Sequence, residues 1–142
     1  MHHVDDLGDV LDRVHLALVP GGRVVVVEWA SERFDEATAT WCFARLAEDS
    51  GDPGWLQRHR DDWNDAGQHW TSYWRTWVDE EGLHAGQAII EALQARFDGQ
   101  VLTRGPYFFA DLDGITEAAE QDAVDAGQIQ PNGIRYVGRN AT

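Results

Sequence analysis

Lysine is absent from this 142-residue chain, cysteine and methionine occur once each, and proline occurs four times. Each scarcity excludes something. With 11 basic residues, all arginine, against 25 acidic ones, the net charge is −14. Such a chain repels phosphate backbones and anionic lipid surfaces, so binding of nucleic acid through counterion release is not expected. A lone Cys42 forms no internal disulfide, and a reducing cytoplasm is the simplest compartment. Cys42 itself reads as a small apolar packing residue rather than a nucleophile. The longest aliphatic run, Val24 to Val27, is far shorter than the ~20 residues a membrane span needs. No charged-then-apolar leader pattern opens the chain. A soluble, cytoplasmic protein is expected. The absence of lysine beside abundant Arg, Ala, Gly and Asp is also what a GC-rich coding sequence produces, and it carries no functional weight.

The residues that are present suffice for a core. Hydrophobic residues make up 43%, with five Phe, three Tyr and seven Trp, enough for one packed domain. Val4, Leu7, Leu11, Val14 and Leu18 lie at helical spacing, with Asp5, Asp6 and Asp9 where the helix dipole favours negative charge. Pro20, Gly21 and Gly22 stop that helix. Arg23-Val24-Val25-Val26-Val27 follows, a β-branched run without polar alternation, which predicts a parallel strand covered on both faces. The chain therefore reads as α/β.

A second helix is predicted over Asp35 to Glu48, with Ala37, Trp41 and Ala44 inward. Ser50-Gly51-Asp52-Pro53-Gly54 reads as a turn, and residues 49–82, with Trp55, Trp63, Trp70, Trp74 and Trp77, read as an inserted cap or lid within a single domain over 1–142. Glu81 to Phe97 is a third predicted helix, stopped by Asp98-Gly99. Val101 to Ala110 reads as a strand interrupted by Gly105-Pro106, the proline favouring an edge or a bulge. Asp113 is a candidate cap for a short helix over Ile115 to Ala126, and Ile134 to Arg139 reads as a last strand after the Pro131-Asn132-Gly133 turn.

Order and motifs together resemble one family. His2-His3-Val4 before the acidic helix, then Leu18-Val19-Pro20-Gly21-Gly22-Arg23 and Val24 to Glu28, resembles the segment of class I S-adenosylmethionine-dependent methyltransferases that leaves the fourth strand and builds the fifth. Tyr107-Phe108-Phe109 through Gly133-Ile134-Arg135-Tyr136-Val137-Gly138 is similar to that family's sixth and seventh strands. The resemblance covers about 75 residues in two blocks and implies a Rossmann-like fold, of which the fifth to seventh strands with flanking helices are present, plus a Trp-rich helical insert. It implies S-adenosylmethionine as cofactor and a small-molecule methyl acceptor as partner. The family's Gly-x-Gly-x-Gly loop and its ribose-binding acid have no counterpart among these residues, so no cofactor-binding position carries over. Met1 falls where the family has the end of its fourth strand, which implies a truncated frame, a misplaced start or a split gene, and little affinity for the cofactor in this chain alone.

Strand ends do carry over, because ligands of open α/β sheets bind beyond the carboxyl ends of the strands. His3, or His2, is the candidate general base, since an imidazole can take a proton from a hydroxyl or amine nucleophile near neutral pH. The alternative is a solvated terminus. Glu28 and Trp29 are candidate substrate-binding residues, although Glu28 can equally cap neighbouring amides. Trp70, Trp74 and Trp77 share a helical face and either line a substrate pocket or pack beneath a lid. His59, Asp61, Asp62 and His69 are metal-ligand types without converging spacing, so no metal is expected. Two further classes remain open: a noncatalytic remnant or subunit-interaction module, a homodimer or a partner covering an exposed strand edge, and a binder of an apolar ligand beneath the Trp insert. For these 142 residues in isolation the interaction module ranks above the enzyme.

Overall fold

The computed structural model describes residues 1–48 and 51–141, so Ser50 in the expected turn lies outside the described residues. It is a mixed α/β structure with a small three-stranded sheet and divides into two compact units: Met1–Glu32, Glu81–Gly105 and the stretch from Asn132 form the first, and Arg33–Glu80 with Pro106–Pro131 the second. No helix among the described residues is long and apolar enough to cross a membrane.

The first unit begins with helix α1 (Leu7–Ala17), whose N-terminal amides are met by the Asp6 carboxylate, 2.9 Å from the Asp9 N–H. This is the local economy of an N-cap: one side-chain oxygen satisfies a donor that the helix leaves unbonded. The expected stripe is the buried one. Leu7 and Leu11 are in the core, with Val4, Val14 and Leu18 packed against it. Gly21 takes the left-handed φ of 77° in the turn, a conformation that costs glycine little. Strand β1 (Arg23–Trp29) follows.

Here the expectation of a parallel strand covered on both faces fails. β1 pairs antiparallel with the last strand, β3 (Gly133–Arg139), and β3 pairs antiparallel with β2 (Asp98–Gly105), giving the order β1-β3-β2 with β1 at the edge. Val26 is buried on the side of α1, whereas Val25 and Val27 are exposed on the other. A run of valines specifies a strand but carries no information about the direction of a partner that lies about a hundred residues on. β1 and β2, each antiparallel to β3, run parallel to one another.

Helix α5 (Gly86–Gln94) covers the same face as α1, contributing Ile89 and Leu93 beside Val26, Phe97 and Tyr136. Gly86 is required by proximity: a Cβ there would lie 2.6 Å from Ile134 Cδ1 and 2.8 Å from Ala30 Cα. The helix begins at Gly86 rather than at Glu81 because the preceding helix, α4, runs through Glu81 and Gly82 then turns with φ 64°.

The second unit is helical. α2 (Glu36–Phe43) is capped by Asp35 and stops short of Glu48; it buries Thr38, Ala39 and Cys42, not Ala37 or Ala44, which are exposed. Residues expected to form a cap are two regular helices, α3 (Trp55–Ala66) and α4 (Trp70–Glu81). Phe34 is the hub of the core, with ring centroids of Trp74, Phe108 and Trp70 at 4.9, 4.9 and 5.1 Å.

The stretch Tyr107-Phe108-Phe109 is not a strand, since β2 ends at Gly105 and Pro106 follows. Its amides turn instead onto Glu120 of helix α6 (Glu117–Asp125), whose buried carboxylate accepts from Tyr107 N–H at 2.7 Å, Phe108 N–H at 3.0 and 3.1 Å, and Phe109 N–H at 2.7 Å. α6 is capped by Thr116, not Asp113; the Thr116 hydroxyl accepts from Ala119 N–H at 3.1 Å, while Asp113 N–H donates to the Arg45 carbonyl.

Candidate functional site

At the carboxyl end of β1 the side chain of Glu28 is 5% exposed and ionised. A buried carboxylate is stable only if charged or N–H partners replace its water. Glu28 has three. Its Oε1 is hydrogen-bonded to His2 Nδ1 and accepts the Trp29 N–H at 2.9 Å, and its Oε2 lies 2.7 Å from the Met1 amine. Burial pushes its carboxyl up, but the His2, amine and Trp29 contacts together outweigh burial and hold it down at about 2.

Residues 1–4 are tied to the same unit from a second side. His84 donates its backbone N–H to the His2 carbonyl at 3.0 Å and its Nε2–H to the Val4 carbonyl at 2.7 Å. The Trp29 indole N–H donates to Asn132 Oδ1 at 3.1 Å, and the Asn132 carbonyl accepts the Ala30 N–H at 2.8 Å. The indole stands edge-on to the His2 ring, centroids 5.5 Å apart.

Of the sequence-derived candidates, His2, Glu28 and Trp29 thus converge. His3 does not join them: it is exposed and touches the group only through the His2 ring, 4.5 Å away. The imidazole held by a carboxylate is His2, not His3. His84 and Asn132 complete the constellation and were not expected. Asn132 lies in a turn that the sequence does signal, whereas nothing local relates position 84 to position 2.

Trp70, Trp74 and Trp77 belong to the other unit. Trp70 and Trp74 are 1% and 6% exposed, and the three indoles stack in sequence, with centroids 5.2 and 4.9 Å apart. The Trp70 indole N–H donates to the Phe34 carbonyl at 2.7 Å. This face is core, so neither Trp70 nor Trp74 offers a surface for a ligand. A hollow in this unit lies elsewhere, about 430 Å³ among Trp41, Arg45, Ile115, Asp122 and the alanines at 119, 123 and 126, with the Arg45 guanidinium 4.2 Å above the Trp41 ring.

His59 is buried among aromatic rings and shares a 2.8 Å hydrogen bond with the Tyr73 hydroxyl. Burial lowers its pKa to about 4 and raises that of Tyr73 to about 12. Burial, and then the Glu120 carboxylate, push the Cys42 thiol up, so it is protonated and unreactive at neutral pH. Among the described residues no three His, Cys, Asp or Glu side chains are grouped to hold a metal ion.

No family model, curated protein or solved structure matches this chain.

Proposed function

We propose that these residues form the acceptor-side part of an S-adenosylmethionine-dependent methyltransferase fold acting on a small molecule. The observation that carries this reading is the strand arrangement. The last strand, β3, lies antiparallel between β1 and β2, so that β1 and β2, each preceded by a helix, run in one direction. The two helices on one face, α1 before β1 and α5 before β2, fit the α/β winding of such a sheet.

On this reading no cofactor contact is assigned to these residues. β1 is followed by Ala30 and Ser31, not by a glycine turn. The N-terminal amides of α5, a natural seat for an anionic group, already donate to Glu32, from Gly86 at 2.8 Å and Gln87 at 3.0 Å. The cofactor residues on this reading lie outside residues 1–142. What the chain contributes is proton chemistry: Glu28 fixes the His2 ring through Nδ1, leaving Nε2 to accept a proton from a hydroxyl or amine nucleophile. Trp29, locked by Asn132, forms an apolar wall beside it.

Calorimetric titration of residues 1–142 with S-adenosylmethionine should show no binding; clear binding contradicts the placement of the cofactor residues. In a longer chain carrying the Gly-x-Gly-x-Gly loop, His2→Ala should lower turnover by about 100-fold or more, in the range of a lost general base, with cofactor affinity nearly unchanged. Unchanged turnover removes His2 from the mechanism.

A second reading is favoured by the edge position of β1. A seven-residue strand at a sheet edge is a template for another chain, which fits a subunit-interaction module without catalysis.

A further inference from the structure

The outer face of the sheet, opposite α1 and α5, is apolar where an antiparallel sheet facing water is normally polar. Register makes the patch continuous. Val25 lies opposite Val137, Val101 lies opposite Val137 from the other side, and Val27 is two residues along from Val25. Directly opposed side chains in a ladder are ~5 Å apart, so these valines form one surface across all three strands. Val25, Val27 and Val101 are 70%, 66% and 45% exposed. A contiguous exposed apolar patch is a surface on which another molecule can dock.

Its charge is opposite to that of the rest of the chain. Arg23 and Arg139 face each other at one end of the patch and Arg135 lies opposite Val27, while the single carboxylate in the paired positions of this face is Asp98, opposite Arg139. In a chain of net charge −14 this is a locally cationic face. A second copy is therefore a poor occupant, because the two chains repel as whole bodies. Contacts within a Debye length of ~8 Å answer to local charge instead.

We propose that this face docks an amphipathic helix of a partner polypeptide, its apolar stripe on Val25, Val27, Val101 and Val137 and its acidic flank on Arg23 and Arg139. Dimensions select a helix: three strands spaced ~4.8 Å apart present a face ~10 Å wide, the diameter of one helix with its side chains. The inference requires neither the cofactor nor His2, so its test succeeds or fails separately from the tests of the methyltransferase reading.

The test uses a fluorescent synthetic helical peptide of about 20 residues, with leucine at helical spacing and glutamate on both flanks, and a twin carrying lysine in place of glutamate. Fluorescence anisotropy with the full chain should show the glutamate peptide binding at least ~10-fold more tightly than the lysine twin. V25K/V27K, at positions already exposed, should weaken it at least ~10-fold, and R23E/R139E should reverse the preference between the peptides. Equal affinity for both peptides, no binding of either, or affinity unaffected by V25K/V27K overturns the proposal. So does sedimentation showing a dimer that V25K/V27K dissociates, which would make a second copy the occupant.

Discussion

Replacing Glu120 by alanine is expected to destabilise the second unit by about 3–5 kcal/mol, since each amide that loses its acceptor costs roughly 1–3 kcal/mol. Three consecutive amides, those of Tyr107, Phe108 and Phe109, donate to this one carboxylate, which is 1% exposed. They have turned away from any strand ladder, so alanine removes the carboxylate to which these buried and part-buried amides donate. Glu120→Gln keeps the shape but sets an NH₂ donor against N–H donors, and a loss of about 2 kcal/mol or more is expected for one unmade bond and one opposed pair. Urea unfolding followed by tryptophan emission measures both, since every tryptophan except Trp29 lies in this unit. Losses below about 1 kcal/mol, the value of an ordinary hydrogen bond, would show that other acceptors take over.

Acidification should destabilise the same unit well above the range in which carboxylates titrate. His59 has a pKa of about 4 in the folded chain against 6.5 when free, with burial the leading cause. The unfolded chain therefore binds a proton between pH 6.5 and 4 that the folded chain refuses, and the folded state loses ground as pH falls through that window. Stability is unaffected by this group above pH 6.5. The full loss is roughly 3 kcal/mol once the pH is below about 4, at 1.36 kcal/mol per pKa unit. Thermal unfolding measured from pH 7.5 to 4 should show the decline, and His59→Phe, which keeps a ring against Trp74 and Trp77, should flatten it. A decline that persists in His59→Phe would assign it to another group. The Glu28 contribution is separate in pH: its carboxyl is depressed from 4.5 to about 2, so the stability it adds is complete above 4.5 and is lost only as pH falls through 4.5 toward 2.

How much of this was legible depends on the range over which each signal acts. Helix α1 could be read residue by residue, because the spacing from Val4 to Leu18 and the Asp6 cap are local. β1 was legible as a strand, but its partner is set by Gly133–Arg139, and valine content does not encode pairing direction. Tyr107-Phe108-Phe109 has strong strand propensity and forms none, because Glu120, more than ten residues on, offers their amides a buried carboxylate that no pattern in the aromatic run announces. The shared face of Trp70, Trp74 and Trp77 was correctly spaced as a helix, yet spacing is the same for a pocket wall and for a core; the neighbours of Phe34 decide for the core. At the site, the resemblance brought His2, His3, Glu28 and Trp29 to one strand end. Which histidine is held depends on the reach of Glu28, and the clamp from His84 depends on a contact across 80 residues of chain.

The reading of the site stands on Glu28 as an ionised carboxylate that holds His2. Carbon-13 NMR titration of the Glu28 carboxyl tests this directly: the native chain should titrate at about 2, and His2→Ala should move the midpoint upward toward the ordinary carboxylate range. A midpoint at or above the ordinary value in the native chain, or one that His2→Ala leaves in place, would contradict it.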